Sequence, residues 1–121
     1  MGIEMANDQR LWGANRPTFI IAEVGSNYNG RLDLALEYIE RFAEAGADGV
    51  KFQVFSADTL VNPVLRPEFH DVIHQLSIPR EWLPRLSEHA SRVGVHFMAT
   101  PFDLAAVEEL GTVGVPAYKI A

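Results

Sequence analysis

The sequence predicts an α/β fold built on a parallel sheet, and three observations predict it. Four short runs are rich in β-branched and aromatic residues and almost uninterrupted in apolar character. Helical patterns of 3.6-residue period separate them. The resulting order, β-α-β-(α)-α-β-α-β, is the alternation from which right-handed βαβ units are made.

The first run is Thr18 to Glu23 (TFIIAE), followed by Gly49 to Phe55 (GVKFQVF), Val95 to Thr100 (VHFMAT) and Ala117 to Ala121 (AYKIA). Runs this continuous suit strands covered on both faces, as in parallel sheets, better than half-exposed hairpins. Between the first two, Leu32, Ala35, Leu36, Ile39, Phe42 and Ala43 fall on one helical face, with Gly46 as the expected stop. After Pro67, a second pattern uses Phe69, Val72, Ile73 and Leu76. A third runs through Trp82, Leu83, Leu86, Ala90 and Val93, with Ser77 as its expected cap, Pro79 in its first turn and Gly94 at its end. A short fourth pattern, Leu104 to Leu110, has Asp103 as a candidate cap and Gly111 as its expected end. The stretch from Ser56 to Arg66 is the longest without periodicity, and it follows a strand, where such folds build their sites.

Composition bounds the function. At 121 residues the chain fits one domain or part of one, since a complete (β/α)₈ barrel takes about 250. A net charge of −6, from 16 acidic and 10 basic residues, argues against a nucleic-acid surface. No apolar run approaches the roughly 20 residues of a membrane span. Residues 1–16 lack a signal-peptide core. The absence of cysteine removes disulfide and thiolate chemistry. These features suit a cytoplasmic protein that meets neither membrane nor nucleic acid.

The strands carry polar residues near their C-terminal ends: Glu23, then Lys51 and Gln53, then Thr100, then Lys119. Lys51 and Lys119 are the only lysines, and both sit in apolar surroundings. Alternation puts Lys51 and Gln53 on one face of their strand. An unpaired charge is costly inside a barrel wall, so its natural place is the mouth. Two lysines there suit a small, highly anionic ligand. Thr100 adds a hydroxyl for a phosphate or carboxylate oxygen, and Glu23 can work as acid or base or hold a substrate hydroxyl. Taken singly, each lysine reads equally well as a structural ion pair or a snorkelling side chain, and Glu23 as the partner of Lys51. Thr100 alone reads better as a strand end, and Gln53 is the weakest of the five. Four strands each ending in a polar group favour the functional reading.

Other residues carry less. His70 and His74 have the i, i+4 spacing of a metal pair, but without a clear acidic third ligand they read as a solvated helix face. His89 reads as exposed, His96 as packed or hydrogen-bonded in its strand, and Trp12 and Trp82 as packing. Asn27-Tyr28-Asn29-Gly30 reads as a turn, since Asn and Gly tolerate left-handed backbone.

Four motifs in this order resemble the N-acetylneuraminate (sialic acid) synthase family: IIAEVGSNYNG (20–30), AGADGVKFQVF (45–55), FMATPFD (97–103) and GVPAYKIA (114–121). The resemblance covers most of the chain from Phe19 onward. It implies a partial TIM (β/α)₈ barrel: the first four parallel strands with intervening helices over residues 18–121, preceded by an N-terminal extension over 1–17. It implies condensation of phosphoenolpyruvate with an N-acylated amino sugar, such as N-acetylmannosamine, to a nonulosonic acid with release of phosphate. By motif position Glu23 is the catalytic glutamate, Lys51, Thr100 and Lys119 bind phosphoenolpyruvate, and Gln53 lines the substrate pocket. A divalent metal, manganese or magnesium, is expected, with its ligands beyond residue 121. The family usually has histidine where this chain has Tyr28, and residues 56–77 are short and unlike the usual version. An open half-barrel is expected to self-associate into a homo-oligomer and to be inactive by itself. A non-catalytic anion-binding or assembly module is the alternative reading, and a lyase using Lys51 or Lys119 as a Schiff base comes third.

Overall fold

Strands β1 (Ile21–Gly25), β2 (Gly49–Val54) and β3 (His96–Pro101) form one parallel sheet in the order β1-β2-β3 in the computed structural model, which describes residues 11–121. Helix α1 (Leu32–Glu44) connects β1 to β2. Between β2 and β3 lie α2 (Ala57–Leu60), α3 (Pro67–Leu76), a 3₁₀ turn (Arg80–Trp82) and α4 (Leu83–Val93), and α5 (Leu104–Val113) follows β3. Of the expected extension over residues 1–17, residues 1–10 lie outside the described residues.

The apolar alternation of each strand decides which face the helices cover. Val50, Phe52 and Val54 of β2 and Phe97 and Ala99 of β3 are buried against Ala35 and Ile39 of α1, Leu83, Leu86 and Ala90 of α4, and Ala106 and Leu110 of α5. Parallel crossovers place their helices on this face. The opposite face carries Glu23, Lys51, Gln53, Met98 and Thr100, aligned by the register: Glu23 opposite Lys51, Lys51 opposite Met98, and Gln53 opposite Thr100.

Residues 11–19 cross the N-terminal end of that second face. The Trp12 and Phe19 rings lie 5.3 Å apart, and Phe19 lies 5.8 Å from the His96 ring. Gly49 makes room for this: a Cβ there would meet Phe19 Cε1 at 3.2 Å and Met98 Sδ at 3.3 Å. Thus a floor of apolar groups closes one end of the sheet.

The boundaries differ from expectation at four places. The run 117–121 makes one parallel bridge, Tyr118 to Ala99, with Lys119 N–H donating to Ala99 C=O at 3.3 Å. It has β3 on one side and solvent on the other, so no two-sided ladder holds it. Ser77 does not cap α4 but terminates α3, donating its hydroxyl to Ile73 C=O at 2.8 Å. The 3₁₀ turn then intervenes, and α4 begins only at Leu83. Helix α5 runs through Gly111 and stops at Gly114, whose φ of 76° is the left-handed conformation that favours glycine. Asp103 caps α5 as expected, accepting from Ala106 N–H at 2.7 Å.

Candidate functional site

Glu23 and Lys51 meet. The Lys51 ammonium donates to Glu23 Oε2, and both groups stand on the face of the sheet that no helix covers. Lys51 is 16% exposed and Glu23 44% exposed, so the stem of the lysine is packed while the carboxylate reaches water. A slip of register between Glu23 and Gly25 tilts the end of β1. Gly25 takes a φ of 59°, and a Cβ there would stand 3.4 Å from Glu23 Oε1. The turn after it is fixed by Asn27, whose backbone and side-chain N–H groups both donate to Val24 C=O.

Thr100, 3% exposed, lies opposite Gln53 on the same face. Counting on from the Tyr118–Ala99 bridge brings Lys119 opposite Thr100, and alternation assigns it to that face. Lys119 is exposed, with no carboxylate partner among the described residues. The five polar residues therefore belong to one surface: Glu23 and Lys51 in contact, Gln53 and Thr100 paired across strands, and Lys119 in register beside them. The ion pair that the sequence offered for Glu23 and Lys51 is formed.

Tyr28 turns away from this surface. It is fully buried between Phe52 and Trp82, at ring distances of 6.2 and 6.0 Å, and its hydroxyl donates to Leu76 C=O at 2.8 Å. Burial pushes its pKa up to about 12. The turn that follows β1 is thereby anchored to the end of α3. Beside it, Ser26 holds a buried hydroxyl with no hydrogen-bond partner among the described residues. Such a group calls for a water or a ligand atom.

Two histidines depart from expectation. His70 is not solvated: its side chain is largely buried and Nε2 meets Asp58 Oδ1 at 2.7 Å, with the His74 ring stacked 6.4 Å away. His89 is likewise enclosed, against Glu40 at 3.0 Å and Arg92 at 3.1 Å. His96 is exposed and touches the Phe19 ring. Among the described residues no three His, Cys, Asp or Glu side chains converge as a metal site would need.

Sequence reasoning missed a cluster at the C-terminal ends of β2 and β3. Arg80 donates to Glu109 at 2.6 Å and to Asp103 at 3.0 Å, and the Thr59 hydroxyl lies 3.4 Å from the same Asp103 oxygen. The Phe55 and Phe102 rings meet edge to face at 5.7 Å beside it. Only the Asp103 cap had a local signal.

Both the sequence and the fold resemble known proteins. Residues 38–121 match the NeuB family. The chain is 40% identical over 120 residues to N,N'-diacetyllegionaminic acid synthase of Legionella pneumophila, covering 89% of this chain and 34% of that protein. It is 33% identical over 122 residues to human N-acetylneuraminate-9-phosphate synthase, covering 92% of this chain and 34% of that protein. Among solved structures, N-acetylneuraminic acid (sialic acid) synthetase from Leptospira borgpetersenii, in complex with citrate, superimposes with a TM-score of 0.88 at 32% identity. That likeness covers 99% of this chain and 41% of the Leptospira chain. The chain thus spans about a third of the length of the curated relatives it matches.

Proposed function

The chain belongs to the NeuB family, and on that premise we propose that it forms one side of the active site of a nonulosonic acid synthase. The reaction joins phosphoenolpyruvate to the open-chain aldehyde of an N-acylated amino sugar, with N-acetylmannosamine as the type acceptor. The enol carbon of phosphoenolpyruvate attacks the aldehyde carbon, water adds at the former enol-phosphate carbon, and phosphate leaves by C–O cleavage. The relatives named above, synthases of sialic and legionaminic acids, support this substrate class.

The residues divide the work by chemistry. Lys51, a compact charge on a packed stem, meets the phosphate or carboxylate of phosphoenolpyruvate, and Lys119 supplies a second charge beside it. Thr100 donates its hydroxyl to the same anion. Glu23 holds the acceptor and exchanges a proton at the aldehyde oxygen. Gln53 hydrogen-bonds the amino sugar. The divalent metal expected of the family would polarise the aldehyde. The described residues do not fit it, because they bring no ligand cluster together.

The reading is carried by one observation. The register sets Glu23, Lys51, Gln53 and Thr100 on one face of three parallel strands, while the other face is apolar throughout. Parallel barrels place their chemistry at this end of the strands. We further propose that the 121 residues alone turn nothing over, because three strands do not close into a barrel around this surface. The exposed Ile20, Ile21, Leu104 and Ile120 support self-association as a homo-oligomer. No helix among the described residues is long and apolar enough to cross a membrane. A cytoplasmic location is part of the same proposal.

Calorimetric titration with phosphoenolpyruvate tests the assignment. Lys51→Met is expected to weaken binding by roughly tenfold to a hundredfold, the range for losing a charge-assisted hydrogen bond. Equal affinity in a folded Lys51→Met variant would remove Lys51 from the anion site.

A further inference from the structure

Three segments, two from the crossover between β2 and β3 and one that follows β3, meet at a single carboxylate. Asp103 Oδ1 accepts from Ala106 N–H and so caps α5. Its Oδ2 accepts from Arg80, which belongs to the 3₁₀ turn ahead of α4, at 3.0 Å. The Thr59 hydroxyl of α2, which donates to Ser56 C=O at 3.1 Å, lies 3.4 Å from the same oxygen. The other arm of the Arg80 guanidinium reaches Glu109, further along α5, at 2.6 Å. Arg80 thus grips α5 at two points, as a planar fork can and a lysine ammonium cannot. Asp103 and Arg80 are only 12% and 26% exposed, so solvent weakens the pair less than it would at the surface.

The clamp lies three residues from Thr100, and the link between them is stiff. Pro101 has a fixed φ, and Phe102 N–H donates to Val54 C=O at 3.0 Å. A shift of Asp103 therefore passes to Thr100 and not into a flexible loop. The cap on α5 uses Asp103 Oδ1 and the Arg80 contact uses Oδ2, so the two bonds engage different oxygens. Folding of α5 and placement of the rim are consequently separable functions of the two residues.

We propose that Arg80 is a positioning residue of the anion site: through Asp103 it fixes Thr100 against the loop that follows β2. The proposal rests on the reading of Thr100 as an anion-binding residue. It concerns a residue that touches no substrate and acts through its neighbours.

The test uses the 121-residue chain, with amide NMR and hydrogen exchange first and a phosphoenolpyruvate titration second. In Arg80→Met, the Thr100 and Thr59 amide signals shift, and exchange over residues 56–61 rises by about tenfold. The amides of Ala106, still capped, and of Val50 and Phe52 in the core stay unchanged. Arg80→Lys keeps one of the two contacts and recovers part of the effect, and Glu109→Gln, which leaves the Asp103 arm intact, changes little. In the titration, Arg80→Met weakens phosphoenolpyruvate binding by about threefold to tenfold, the reach of a displaced hydrogen-bond donor.

The two readouts fail separately. If wild-type chain binds no phosphoenolpyruvate, the anion assignment is lost, while the exchange pattern still decides the clamp. If Arg80→Met folds with Thr100 and residues 56–61 unaltered, the clamp is overturned. A uniform rise in exchange that includes Val50 and Phe52 overturns it as well, because Arg80 would then serve global stability. Should wild-type bind and a folded Arg80→Met bind equally well, positioning of the anion site is refuted.

Discussion

Neighbouring residues of β2 belong to two different chemistries. Val50, Phe52 and Val54 point into the helices and are fully buried, whereas Lys51 and Gln53 point to the uncovered face and stay partly wet. One strand therefore serves as the centre of the core and as one wall of the proposed site, with a period of two residues separating the roles. The lesson lies in how each face is satisfied. The inner face gains from area removed from water and from close packing, so it tolerates no unpaired polar group and little change of volume. The outer face is held by pairings across strands, Glu23 with Lys51 and Gln53 beside Thr100, which cost little to break.

The largest effect should come from the inner face. Phe52 touches the rings of Tyr28 and Phe97 and is completely enclosed. Phe52→Ala is expected to destabilise the chain by about 3–5 kcal/mol, enough to unfold a small domain in part. Urea denaturation followed by fluorescence measures it. A loss below about 1 kcal/mol would mean that the two faces are not divided as the burial pattern indicates.

A smaller effect belongs to a polar group planted in the inner layer. Tyr28 is neutral when buried, and its pKa is pushed up to about 12 from an ordinary value near 10. Its folded pKa lies above its unfolded one, so its contribution is complete below pH 10 and is lost as pH rises through 12. Stability measured across pH 9 to 12 should therefore fall more steeply in wild type than in Tyr28→Phe. At neutral pH the same substitution should cost about 1 kcal/mol, for the lost bond to Leu76 C=O. Parallel pH profiles in the two proteins would show that the phenol is not sequestered.

The division of faces was legible in the sequence because it depends on local spacing. Glu23, Lys51, Gln53 and Thr100 announced themselves as polar residues inside apolar runs, and alternation was enough to place them together. The Asp103 cap was legible for the same reason, its partner lying three residues on. Arg80 was not, since its partners stand 23 and 29 positions away on other elements. Tyr28 was ambiguous, because an aromatic residue in an Asn-Gly turn carries no mark of the direction it takes. Gly111 imitated a helix stop, yet a Cβ there would meet the Tyr118 hydroxyl at 3.2 Å. A glycine required by packing and one required by a turn look alike in sequence.

The smallest effect on stability, and the sharpest contrast with Phe52, should come from the residue next to it. Lys51→Met keeps the length of the stem and removes the charge, leaving Glu23 free in water at 44% exposure. The lost pairing is partly solvated and should change stability by no more than about 1 kcal/mol in either direction. The same urea experiment on Phe52→Ala and Lys51→Met thus compares two adjacent positions under one measurement. A difference of several kcal/mol follows if the inner face carries stability and the outer face carries recognition. Should Lys51→Met cost as much as Phe52→Ala, the pair with Glu23 would be a structural element that cannot be exchanged for a ligand, and the uncovered face would lose its claim to be a site.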